Sequence, residues 1–123
     1  MITGIVQPGR QAIVHLQVKG RGGNSIAIDG ILDTGFTEAL TLPYSLVLAL
    51  RLRFLNIDSA TLADGSVILV ELYEGTVVWN GQDRHIIVHC LEGDPLIGMS
   101  LIYSHHLAMD AVDHGAVTLT PLP

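Results

Sequence analysis

The chain has 123 residues, enough for one domain with a real core and short for a two-lobed enzyme. A formal charge of −6, only six Lys plus Arg and 5% aromatic residues argue against the basic, base-stacking surface that nucleic acid requires. Hydrophobic residues reach 49% and charged residues only 15%, so part of the surface is expected to be covered by a ligand or, better, by another subunit.

Residues 1–123 read as a single domain, with no repeat, linker or low-complexity tract. No apolar run approaches the roughly 18 residues of a membrane-spanning helix. The opening Met-Ile-Thr-Gly lacks the charged-then-apolar pattern of a signal peptide. The single Cys90, with Val88 and Leu91 close by in sequence and adjacent His89 on the opposite strand face, suits a reducing compartment and a core position, and a cytoplasmic location is expected.

In chain order, Gln11 to Lys19 alternates cleanly, with Ala12, Val14, Leu16 and Val18 on one face of a half-buried strand. The cluster Gly20 to Asn24 turns the chain, and Ser25 to Asp33 follows as a strand apolar on both faces, hence interior. Leu40-Thr41-Leu42 is a short strand stopped by Pro43, which starts a helix over Tyr44 to Leu50. Strand pattern resumes from Arg51 to Leu62, breaks at Ala63-Asp64-Gly65, and runs again from Val67 to Val78. This hairpin has little to pack beneath its tip, and residues 56–72 are expected to project as a flap. Asn80-Gly81 makes the next turn, into a strand over Arg84 to Leu91 with Ile86, Val88 and Cys90 on one face.

Glu92 to Pro95 leads into the buried run Leu96-Ile97-Gly98-Met99, and Ser100 to His106 is read as one or two helical turns. Leu107 to Val112 and Ala116 to Leu119 are expected as closing strands around Asp113-His114-Gly115. Many short strands with regular turns describe an all-β fold, a small barrel or sandwich, with one or two short helices.

The stretch Ile31-Leu32-Asp33-Thr34-Gly35 carries the most chemistry. A carboxylate ending a hydrophobic strand is costly to bury unless paired, hydrogen-bonded or used. The same residue types also make an Asx turn, in which Asp caps its own backbone. The order of parts decides between these readings: interior strand into Asp33-Thr34-Gly35, projecting hairpin, then Leu96-Ile97-Gly98 and a short helix. That order, over roughly residues 11–120, resembles the single-domain retropepsin-like aspartic proteases.

The resemblance implies a small closed β-barrel of the retropepsin type and an endopeptidase acting on peptide or protein substrates, with no cofactor and no metal. It assigns catalysis to Asp33, Thr34 and Gly35. Substrate contacts go to Phe36 beside them and to Ala63, Asp64 and Gly65 at the flap tip. Only one Asp-Thr-Gly is present and no Asp-Ser-Gly, so the resemblance implies a homodimer with Asp33 from each subunit in one site. Two close carboxylates share a proton and titrate as a pair. The ionised one deprotonates a water that attacks the scissile carbonyl, while the protonated one donates to the carbonyl oxygen. Thr34 would bond across to the other subunit's loop.

Phe36 departs from the family, where a small residue follows the triplet, and it opens an alternative: a retropepsin-like module that dimerises or binds peptide without cleaving it. Glu38 is a candidate for extended substrate or a solvated loop carboxylate. The six histidines show no zinc-site spacing; His85 and His89 share a strand face but lie about 13 Å apart along it.

Overall fold

A computed structural model describes all residues 1–123. It has 57% of residues in strands and 11% in helices, which puts the chain in the all-β class. The strands are β1 (Ile2–Gln7), β2 (Gln11–Lys19), β3 (Ser25–Leu32), β4 (Leu40–Leu42), β5 (Arg53–Thr61), β6 (Val67–Trp79), β7 (Gln82–Cys90), β8 (Leu96–Ile97), β9 (His105–Met109) and β10 (Ala116–Pro121). The two short helices are α1 (Tyr44–Ala49) and α2 (Met99–Ile102).

All ten strands belong to one sheet, in the order β5-β6-β7-β4-β8-β3-β2-β1-β10-β9, and a further pairing of β6 with β2 bends it back on itself. The expected closed barrel is therefore corrected to a partial ring. The reason lies in β2, whose second edge is divided between two neighbours. Gly4 to Gln7 of β1 pair with its first half, and only Val18 and Lys19 remain to meet Val77 and Thr76 of β6. β5 and the ribbon β1-β10-β9 hang outside the ring as extensions.

The inward faces of the ring strands form the core. Val14, Val18, Leu40, Leu42, Val77, Val88 and Ile97 are wholly buried, each stabilising the fold by about 1.5–3 kcal/mol. β3 pairs with β2 on one side and β8 on the other, the interior position that its two apolar faces require. The Asn80-Gly81 turn has both residues at positive φ, +53° and +75°, the backbone that a two-residue hairpin needs and that Asn and Gly adopt most readily.

Three sequence expectations shift. β1 was not anticipated, because Ile2 to Gln7 has no clean alternation and becomes a strand only by pairing with β10 and β2. The helix expected over Ser100 to His106 ends at Ile102: Ser104 turns at φ +65° and β9 starts at His105. The strand expected over Leu107 to Val112 accordingly ends early, at Met109, where Asp110 and Val112 are taken up by the turn into β10. Cys90 is half-buried, at the margin of the core.

His105 ties this C-terminal ribbon to the ring. Its Nδ1 faces the carbonyl of Tyr103 at 2.9 Å, and its Nε2 accepts from the Trp79 indole N–H at 3.1 Å, with Asn80 Nδ2 at 3.2 Å. Trp79 is buried, so its N–H has no easy substitute partner. His105→Ala is expected to lower unfolding free energy by about 1–3 kcal/mol, measured by urea denaturation; His106→Ala, exposed on the next position, is expected to leave it unchanged.

Candidate functional site

The site is built where a strand has been inserted between two others. The chain leaves β3 at Leu32, makes the loop 33–39 and returns as β4, yet β3 and β4 do not pair. β8 lies between them, parallel to β3 through Ile31–Leu96 and Leu32–Ile97, antiparallel to β4 through Leu40–Ile97. Buried Thr41 holds the start of β8, its Oγ1 accepting from the Leu96 N–H at 2.9 Å.

Backbone bonds then lock the loop onto the end of β8. Asp33 N–H donates to the Ile97 carbonyl at 2.9 Å, Met99 N–H to Phe36 at 2.7 Å, and Gly98 N–H to Ala39 at 3.0 Å. Gly98 is required for this approach, since a Cβ there would lie 2.1 Å from the Glu38 carbonyl oxygen and 2.5 Å from the Phe36 ring. The Leu96-Ile97-Gly98 run is thus the clamp of the Asp33 loop.

Within the loop, Asp33 is half-buried and one carboxylate oxygen accepts from the Gly35 N–H at 2.9 Å. The Asx geometry is present, and it orients the carboxylate rather than consuming it, because the second oxygen stays free of this bond. Thr34 and Gly35 are exposed.

A cleft of about 360 Å³ opens beside this loop. One wall is Gly35 to Glu38; the other is Asp58 to Thr61 of β5 and the following Leu62, with Val70 of β6; His89 and Leu91 complete it. Asp33 and Thr34 adjoin the cleft in sequence but stand outside its walls, as do the hairpin-tip residues Ala63, Asp64 and Gly65. The tip itself is well formed: Gly65 N–H donates to Leu62, and the Asp64 carboxylate accepts from both the N–H and the hydroxyl of Ser66. Those two bonds hold the Asp64 carboxyl below its ordinary range. A second, larger cavity of about 450 Å³ lies across Glu38 from the cleft, against Arg53 and Arg84.

Phe36 is a wall of the cleft. Its ring packs against the space that Gly98 leaves vacant and meets the edge of His89 at 5.9 Å between centroids, nearly perpendicular. His89 is the residue that sequence reasoning missed. In the sequence its only functional signal is its spacing from His85, which does not suit a metal. The positional signal is strand parity: with Ile86, Val88 and Cys90 inward, His89 has to face the other way, but only the pairing of β7 with β4, Thr41 opposite His89, brings it to the Asp33 loop. Burial pushes its pKa down, while Glu38 and Asp58 pull in the opposite direction. Its Nδ1 is buried without a partner.

No model of a known protein family matches the sequence, and no curated protein or solved structure matches it either.

Two outcomes follow from this geometry. Gly98→Ala is expected to cost about 2 kcal/mol or more through overpacking and to speed hydrogen exchange at the Asp33 and Met99 amides selectively. Because the folded state disfavours protonated His89, stability is full above about pH 6.5 and declines as pH falls below it. His89→Gln is expected to flatten that decline in urea denaturation measured from pH 7.5 to 5.

Proposed function

We propose that the chain is an aspartic endopeptidase that works as a homodimer, with Asp33 of two subunits forming the catalytic pair. The observation that carries this reading is the Asp33-Thr34-Gly35 loop clamped by the inserted strand Leu96-Ile97, with its carboxylate oriented by the Gly35 N–H and a cleft beside it. The exposure of Thr34 and the partial exposure of Asp33 also support it, since a symmetric partner has to reach both.

One carboxylate cannot act as base and acid in the same step; two that share a proton can. The ionised Asp33 takes a proton from water, the water oxygen bonds to the peptide carbonyl carbon, and the protonated Asp33 donates to the carbonyl oxygen. Collapse of that intermediate breaks the C–N bond as the Asp33 that took the water proton gives it to the amine. The other carboxylate meanwhile takes a proton from one hydroxyl of the gem-diol, and the dyad is restored. Gly35 lets substrate backbone approach. The β5–β6 hairpin covers it and sheds water through residues 58–62 rather than through the tip residues Ala63, Asp64 and Gly65 in the conformation described.

Phe36, the feature that favours a non-cleaving peptide-binding module, fits the enzyme reading as well. Its ring is tucked against His89 and Gly98, where it shapes a subsite wall.

The test is cleavage of an unfolded protein substrate from pH 3 to 7 (the range over which a carboxylate pair titrates) by wild type and Asp33→Asn in parallel. Wild type is expected to cleave and the variant to lose at least about 10²-fold with an unchanged melting temperature. Equal cleavage by both would remove Asp33 from the chemistry, and silence from both would favour the binding module.

A further inference from the structure

The walls of the cleft are electrically one-sided. From Thr34 to Leu50, and again from Phe54 to Asp83, the sequence contains no Lys or Arg. The loop and hairpin residues that line the cleft therefore bring carboxylates and no cation. Glu38 comes from the loop and Asp58 from β5, and both act on the same imidazole, that of His89 on β7. Two carboxylates from opposite walls thus converge on one small volume.

No Lys or Arg lines the cleft, and the two arginines of the neighbouring cavity are turned elsewhere. Arg53 is paired with Glu74, and Arg84 donates to the carbonyls of Ser100 and Leu101. Burial disfavours the charged form of His89, so its ring is a poor source of compensating charge. Around the carboxylates Phe36, Ala60, Leu62, Val70 and Leu91 give the cleft an apolar share, beside Thr37, Ser59 and Thr61. Two acceptor groups in a partly apolar, partly enclosed cleft strengthen attraction for a cation that brings its own donors and an aliphatic stem.

We infer that this cleft selects polypeptide segments carrying a Lys or Arg side chain, held between Glu38 and Asp58 with its stem against Phe36 and Leu62. The inference rests on the cleft being the peptide site proposed above and specifies the class of peptide it takes. Lys presents three donors and Arg five, and both have stems long enough to lie along the apolar wall while the head reaches the carboxylates.

Binding, rather than turnover, tests it. Fluorescein-labelled octapeptides with a central Leu-Phe pair, and with Lys, norleucine or Glu scanned through the flanking positions, are titrated into full-length Asp33→Asn by anisotropy. At one position Lys is expected to bind at least tenfold tighter than norleucine, with Glu weakest, and the advantage to shrink as NaCl rises from 50 to 500 mM. Glu38→Gln combined with Asp58→Asn is expected to abolish that advantage, and Glu38→Lys to invert it toward the Glu peptide. Both residues are exposed, so neither change threatens the fold. Equal affinity for Lys and norleucine at every position, survival of the preference in the double variant, or no binding of any peptide would each overturn the inference. Lys-selective binding without cleavage by wild type would sink the peptidase reading alone; cleavage without Lys preference would sink this one alone.

Discussion

A two-residue strand holds the site together. β8 separates β3 from β4, so the loop 33–39 spans a gap that no hairpin could bridge, and its ends are tied to opposite sides of Leu96-Ile97. Backbone bonds from Asp33, Gly98 and Met99 leave that loop little freedom. Catalytic geometry needs such rigidity more than it needs many residues, since misplacement of a reacting group by about an ångström is costly. Gly98 and Thr41 matter because they permit and secure the insertion, one by having no Cβ, the other by capping the Leu96 amide.

The same insertion explains why the cleft and the carboxylate are neighbours rather than one cavity. Asp33 lies at the exposed end of the clamp, while the cleft opens from Gly35 onward beneath the hairpin. In the proposed homodimer each protomer would contribute one carboxylate and one cleft. The chain is apolar in composition, and Ile57, Val67 and Leu69 stand exposed along the hairpin, a surface that the proposed second copy would cover.

Local pattern made much of the fold legible. Alternation located β2, β6 and β7, the Asn-Gly and Asp-Gly turns located both hairpins, and Pro43 marked α1 within a residue. Failures came where non-local pairing decides. Ile2 to Gln7 becomes a strand because β10 and β2 flank it, and the ring stays open because β2 splits its edge between β1 and β6. In the site, Asp33 to Phe36 could be singled out because three residue types in order carry a chemical meaning. His89 and Asp58 could not, since their meaning arises only when β7 and β5 are brought to the loop. The tip residues 63–65 stood out as a turn, but the cleft wall proved to be the strand just before them.

The account turns on two Asp33 carboxylates sharing one site. Subunit mixing tests this most directly: wild type and Asp33→Asn are unfolded together, refolded at equal concentrations, and assayed for hydrolysis against wild type alone at the same total protein. A shared site predicts about one quarter of the wild-type activity, because random pairing leaves only that share of dimers with both carboxylates. Activity of one half would mean that each subunit works with its own Asp33 and would contradict the shared dyad.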